Sequence, residues 1–345
     1  MKIIIFAGGV GTRFWPISRR KFPKQFQKIF NGQSTLELTW QRIAPYFGTE
    51  NIYLQLTPEF KNLALKELPE LKRNHVIIEP ERRNNGPAVC LALQKLIQAN
   101  QSGPVAILWA DHLMDQPQEF VKHLKTAEKL IQENPNRFIF LAEQPRFAND
   151  NLGWIHVGEK VGRIGKCDYF KFLGWQYKPQ PAVCRKMFKS GEYFWNPGYF
   201  ITSIKFLNDQ FQKLAPEMCQ SVKNDYAHTP KISFDQAIIE RLDLSNAVIL
   251  KTNLGWSDPG TLYAFKEARQ QSPDDNVTQG RVFNLNSKDC LVYNFEDKKL
   301  LATVGLAGQV VVNTKDALIV VPKDKVKQIT ELLEKLEQAG LEKYL

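Results

Sequence analysis

No apolar run in the chain approaches the ~18–20 residues that a membrane-spanning helix requires, so no spanning segment is expected. Cysteine is sparse. Cys90, Cys167, Cys184, Cys219 and Cys290 are odd in number, lie far apart and form no CxxC pair. That excludes a disulfide framework or a zinc site and points to reduced thiols in a cytoplasm. The five histidines fall in no HExxH or comparable ligand spacing. There is no helix-turn-helix pattern and no alternation of aromatic and basic residues, although the net charge is +10. Nucleic acid is therefore set aside as a partner, and the positive balance is read as that of an enzyme acting on polyanions.

What is present fits a soluble globular enzyme. The 345 residues allow a large domain with a smaller partner, and 22 Phe and 7 Trp supply a core. Ile3 to Ala7 is a continuous apolar run, suited to a central strand buried on both faces. Its length and the glycines that follow favour a first strand over a signal sequence. Ser34-Thr35-Leu36-Glu37 has the form of a capping box, which starts a helix that Pro45 should disturb. Asn51 to Thr57, His75 to Ile78, Val105 to Ala110, Phe138 to Ala142 and Val248 to Lys251 read as further strands. Asn85-Gly86-Pro87 opens a helix, and Phe120, Leu124, Ala127, Leu130 and Ile131 share one helical face. Alternation of this kind predicts the α/β class: a mostly parallel twisted sheet with helices on both faces. The middle, about 150–245, reads as richer in loops and aromatics.

Past Gln270 the character changes to short β-rich segments such as CLVYNF and QVVVNT. Val326, Ile329, Leu332, Leu333 and Leu336 then mark a closing amphipathic helix. The expected domains are 1–270 and a small β-rich 271–345, too small to bury much by itself.

The chemistry concentrates where strands end. After the first strand come Gly8, Gly9 and Gly11, then Thr12, Arg13 and, further on, Lys24. This is no P-loop, since no GK[ST] follows, and no dinucleotide fingerprint, since Phe14 holds the third glycine position. A glycine turn at the carboxyl edge of a parallel sheet can present free N–H groups to phosphate, and the cations favour that reading. Asp111 follows the strand VAILWA, and Asp258 follows another strand through Gly255-Trp256-Ser257. Each alone fits a cap or turn; together they form a candidate Mg²⁺ pair. The turn EPERRNNGPA, Glu79 to Ala88, is either a solvated loop or a purine-reading segment in which Glu79 accepts from the base edge.

These residues resemble a known family. GGVGTRFWPISRRKFPKQF closely resembles the signature of sugar-1-phosphate nucleotidyltransferases, in the mannose-1-phosphate guanylyltransferase branch. The resemblance continues through EPERRNNGPA, LWADH, NLGWIHVGE, YKP, FWNPGYF, SFDQAIIER, LGWSDPG and the β-rich tail, and so covers essentially the whole chain. It implies a Rossmann-like fold and transfer of GMP from GTP to mannose-1-phosphate with Mg²⁺, giving GDP-mannose and pyrophosphate, in a cytoplasmic homodimer. It also implies roles. Gly8, Gly9, Gly11 and Thr12 hold the nucleotide, with Glu79, Arg83 and Asn84 on the purine side. Arg13 and Lys24 are the catalytic cations, Asp111 and Asp258 the metal ligands, and Gly153, Lys178 and Asn196 the sugar-phosphate contacts. Departures from the family pattern fall mostly on the sugar side. Tyr177 stands where glutamate is usual and Pro197 where serine is, which leaves a different hexose or a heptose open as the acceptor. A catalytically silent nucleotide-sugar binder is the remaining alternative. Trp109 replaces a smaller residue beside Asp111.

Overall fold

The computed structural model describes residues 1–9, 11–29 and 32–345. They fall into two compact units, neither continuous in sequence. The first comprises residues 1–8, 39–110 and 114–256; the second comprises 9–38, 111–113 and 257–345.

The first unit is built on one sheet. Its strands are β1 (Lys2–Phe6), β2 (Ile52–Leu56), β3 (Val76–Ile78), β4 (Pro104–Trp109), β5 (Phe138–Glu143), β6 (Gly153–Ile164), β7 (Cys167–Tyr177), β8 (Tyr193–Asn196), β9 (Phe200–Ser203) and β10 (Ala247–Thr252). The order across the sheet is β10-β7-β6-β8-β5-β9-β4-β1-β2-β3, and β10 also pairs with β5. The α/β reading is correct, and the pairing is mixed. β3, β2, β1 and β4 run parallel, as do β5 and β10, while β6, β7, β8 and β9 enter antiparallel. The stretch that supplies these antiparallel strands reads as loop-rich in sequence, and the hairpin shows why. Lys160, Arg163, Lys166, Asp168 and Lys171 interrupt its apolar pattern, and the long β6–β7 pairing carries register shifts that break strict alternation.

Ile3, Ile4 and Ile5 are consecutive and completely buried, so both faces of β1 are covered. On one face Ile4, Phe6 and Ile107 share a core with helices Asn85–Gln98, Ile204–Leu214 and Pro216–Asn224. Helix Pro117–Glu133 packs against β4, β9 and β10. No helix among the described residues is long and apolar enough to cross a membrane.

The second unit holds β11 (Val277–Gln279), β12 (Val282–Leu285), β13 (Leu291–Asn294), β14 (Leu301–Val304), β15 (Gln309–Asn313) and β16 (Leu318–Pro322). β11, β13 and β15 stack in parallel with β16 antiparallel at the edge, and β12 pairs in parallel with β14. Helix Ile329–Gln338 follows. Their core is not self-contained: Phe14, Trp15, Ile17 and Ile29 from the N-terminal loop pack with Leu291, Tyr293, Val310 and Val312. The sequence boundary near residue 270 falls inside this unit.

The capping box forms. Ser34 N–H donates to Glu37 Oε2 at 2.8 Å and Glu37 N–H to Ser34 Oγ at 3.0 Å. Helix Thr35–Phe47 runs past Pro45, which sits in its last turns, where a missing N–H removes only one intrahelical bond.

Candidate active site

The glycine loop lies in the second unit from Gly9 onward. Gly11 has φ +64°, and a Cβ there would lie 2.5 Å from Lys24 Cβ and 3.2 Å from Lys24 N. Only glycine lets the loop and the Lys24 backbone come this close. Gln25 Nε2 donates to the Gly9 carbonyl at 2.9 Å, and Ser18 Oγ donates to that of Gly11 at 2.5 Å. Thr12, Arg13 and Phe14 form a short 3-10 turn closed by Phe14 N–H to the Gly11 carbonyl at 2.9 Å. Val10 lies outside the described residues.

Lys24 is the centre of the cluster. Its side chain is 4% exposed, and Nζ lies 3.2 Å from Asp111 Oδ2 and 3.9 Å from Asp258 Oδ1. Nζ is also 5.1 Å from the centre of the Phe14 ring. Leu113 and Ser257 exchange backbone hydrogen bonds of 3.1 and 3.0 Å, and this bridge is what draws the two aspartates, 147 positions apart in sequence, to one ammonium. The protein crowded about Asp111 disfavours its charge, but Lys24 and then His112, whose Nε2 is 4.0 Å away, hold its carboxyl down to about 2. Gly260 adjoins both Asp258 and Arg13, with 3.7 Å from its Cβ position to Asp258 Oδ1 and 3.9 Å to Arg13 Nη2. Among the described residues there is no group of three or more His, Cys, Asp or Glu able to hold a metal. The pair Asp111 and Asp258 is what a divalent ion would find. Two carboxylates are hard oxygen donors of the kind Mg²⁺ takes alongside water and phosphate oxygens, so the donor set fits that ion.

In the first unit, Glu79 is 6% exposed. Its Oε1 accepts from Tyr226 O–H at 2.9 Å and from Arg83 N–H at 3.3 Å, while Oε2 lies 3.4 Å from the Cβ position of Gly8. Burial raises the Glu79 carboxyl, against these hydrogen bonds. Arg82 Nε donates to the Gly8 carbonyl at 3.2 Å. Asn84, at φ +73°, caps helix Asn85–Gln98 by accepting from Asn85 N–H at 2.8 Å. Arg83 Nη2 pairs with Glu81 at 2.8 Å, and its buried Nε has no hydrogen-bond partner among the described residues.

Also in the first unit, Gly153 on β6 stands in register with Tyr177 on β7 and Asn196 on β8. Asn196 Oδ1 accepts from Gly198 N–H at 2.9 Å. Tyr177 is 61% exposed, and Lys178, at φ +44°, places Nζ 4.9 Å from the centre of the Tyr177 ring. Trp109 finds its reason here. Its Nε1 donates to the Gly198 carbonyl at 2.8 Å, and its ring lies 5.2 Å from that of Phe6.

The structure therefore gathers the candidates into sets: Gly9, Gly11, Thr12, Arg13, Lys24, Asp111 and Asp258 in one unit, and Gly8 with Glu79, Arg83 and Asn84, and Gly153 with Lys178 and Asn196, in the other. Two residues escape sequence reasoning. Tyr226 fixes Glu79. Glu143, completely buried, accepts from Leu254 and Trp256 N–H and from Thr252 Oγ1 at 2.7–3.1 Å, anchoring the chain two residues before Asp258. Glu143 ends a strand as Asp111 follows one, and that position is its only signal.

The chain is thus of the α/β class, with a glycine loop after β1 and a lysine shared by two aspartates. Residues 2–275 match the nucleotidyl transferase family, and residues 280–336 match a MannoseP isomerase/GMP-like beta-helix domain. The chain belongs to the nucleotidyl transferase family and is an enzyme of nucleotidyl transfer. It is 29% identical to a mannose-1-phosphate guanylyltransferase of Salmonella muenchen, over 97% of this chain and 73% of that protein. It is 27% identical to the xanthan biosynthesis protein XanB of Xanthomonas campestris pv. campestris (strain B100), over 98% of this chain and 73% of that one. A crystal structure from Thermus thermophilus, described as a mannose-1-phosphate geranyltransferase, superposes with a TM-score of 0.86 at 27% identity, covering 97% and 99% of the two chains.

Proposed function

We propose that the chain transfers GMP from GTP to mannose-1-phosphate, giving GDP-mannose and pyrophosphate. The observation that carries this is Lys24, its ammonium 3.2 Å from Asp111 and 3.9 Å from Asp258 beside a glycine loop. A phosphate oxygen of the sugar-1-phosphate attacks the α-phosphorus of GTP in line; the bond from that phosphorus to the bridging oxygen breaks, and pyrophosphate leaves with the electron pair. Little covalent work falls to the protein, so its residues act by position and charge. The N–H groups of the glycine loop receive the triphosphate, and Arg13 and Lys24 offset charge on it and on the departing pyrophosphate. Asp111 and Asp258 would hold Mg²⁺. When bound, that ion supplies charge neutralisation at the phosphate oxygens. The family resemblance assigns Glu79, Arg83 and Asn84 to the purine and Gly153, Lys178 and Asn196 to the sugar phosphate. The names of the relatives support the mannose and guanine assignments.

One observation favours a second acceptor. Tyr177 is exposed and offers one hydroxyl and a ring face, where a carboxylate would accept two hydrogen bonds from a vicinal diol. On that reading the enzyme guanylylates another sugar-1-phosphate.

Pyrophosphate release tests both. With Mg²⁺ present, the four ribonucleoside triphosphates and dTTP are crossed with a panel of sugar-1-phosphates. Turnover with GTP and mannose-1-phosphate is expected. Turnover with GTP and only another sugar establishes the second reading, and folded protein that turns over no pair overturns both.

A further inference from the structure

A cleft of about 400 Å³ opens in the first unit, between helix Pro117–Glu133 and the turn that joins β6 to β7. Lys122, Lys125, Lys129 and Lys166 line it, with Tyr46 and Cys167, and no acidic residue is among its lining. Lys122 is answered from outside the cleft by Glu119 at 2.9 Å. Lys125, Lys129 and Lys166 make no ion pair among the described residues. Lys125 and Lys129 are four positions apart on one helix, a like-charge spacing that destabilises a helix unless an anion offsets it. Lys125 Nζ lies 5.4 Å from the centre of the Tyr46 ring, which is 48% exposed. The turn itself is Gly165-Lys166, with Gly165 at φ +55°, so the Lys166 backbone is presented at the tip of the hairpin.

We propose that this cleft binds a polyphosphate anion, separately from the glycine loop. The charge is matched by the lysines, the volume suits two or three phosphoryl groups, and the Tyr46 ring offers a face to a base where the polyphosphate carries a nucleoside. The site rests on its own residues and not on the proposed function. Its ligand would bridge the helix to the tip of the hairpin whose other end carries Gly153 and Tyr177.

Cys167 supplies the readout. It is the one half-buried cysteine, and Cys90, Cys184, Cys219 and Cys290 are buried. The rate of its alkylation by N-ethylmaleimide, an uncharged reagent, is followed by peptide mass spectrometry against added inorganic tripolyphosphate and, separately, against ATP. Several-fold slowing by either is expected, weakening with salt. Slowing by both means the phosphate chain suffices; slowing by ATP alone means the base on Tyr46 is required. In Lys125→Gln/Lys129→Gln/Lys166→Gln the half-protecting concentration should rise about tenfold or more, since three charge-assisted contacts are removed. Lys166→Gln alone, outside the helix, should weaken protection by less. No slowing by either anion in the wild type, or slowing that persists unchanged in the variants, overturns the site.

Discussion

Lys24 is a buried cation whose presence depends on the two carboxylates that face it, and a buried pair broken on one side leaves an uncompensated charge. Asp111 and Asp258 are 41% and 38% exposed, so their removal costs the fold less than their chemistry. Asp111→Ala or Asp258→Ala should abolish pyrophosphate release while the circular dichroism stays that of wild type; each leaves Lys24 with one carboxylate, which lowers the thermal midpoint without unfolding the chain. Wild-type rates in either variant would remove these residues from the reaction. On the sugar side, Tyr177→Glu should shift preference among sugar-1-phosphates toward mannose-1-phosphate, read as a change in kcat/KM ratios. An unchanged profile would show that the tyrosine does not select the sugar. The placement of the aspartates and glycines is legible because aspartate at a strand end and glycine after a strand are local signals. The grip of Tyr226 on Glu79 is not, because 147 residues separate them and neither flanking pattern points to the other.

At the scale of the element, strands and helices with clean periodicity can be read nearly to their ends, as β1, β2, β4 and helix Asn85–Gln98 show. The β6–β7 hairpin cannot, since its polar residues and bulges erase the alternation that marks a strand. The short helix Phe234–Ala237 carries a titration of its own. Ser233 and Gln236 form its capping box, and burial pushes the Asp235 carboxyl up from 3.8 to about 6, with Glu240 adding to the rise against a backbone hydrogen bond. The folded state therefore holds this proton more tightly than the unfolded chain does. The stability linked to it is full below pH 3.8 and is lost as the pH rises through about 6. The interval between 3.8 and about 6 sets a ceiling of about 3 kcal/mol. Asp235→Asn keeps a neutral group at every pH, so its stability relative to wild type should rise between about pH 4 and about pH 7.5 by up to that amount. Urea unfolding at both pH values measures the difference, and a difference between the two proteins that is the same at both would show that the fold does not raise the Asp235 carboxyl.

At the scale of the molecule, the β-rich tail is part of what builds the glycine loop. Every candidate site residue precedes residue 270, and a cut there leaves the chemistry nominally complete. Yet Phe14, Trp15, Ile17 and Ile29, each at most 7% exposed, share their core with Leu291, Tyr293, Val310, Val312 and Ile319. Trp15 Nε1 also donates to the Tyr344 carbonyl at 2.7 Å, and Arg19 pairs with Asp316 at 2.6 Å. At roughly 1.5–3 kcal/mol for each side chain fully buried, loss of that cover outweighs side-chain contacts within the loop such as Gln25 to Gly9 and Ser18 to Gly11, at about 1 kcal/mol each. A chain of residues 1–270 should therefore lose turnover, and limited proteolysis should cut it between Gly9 and Leu38 where the whole chain resists. Full activity with an uncut loop would mean that Gln25, Ser18 and the Leu113–Ser257 bridge hold Lys24 and its two aspartates without the tail. The catalytic role of residues 271–345 would then be nil, and their apolar contacts would serve only their own folding.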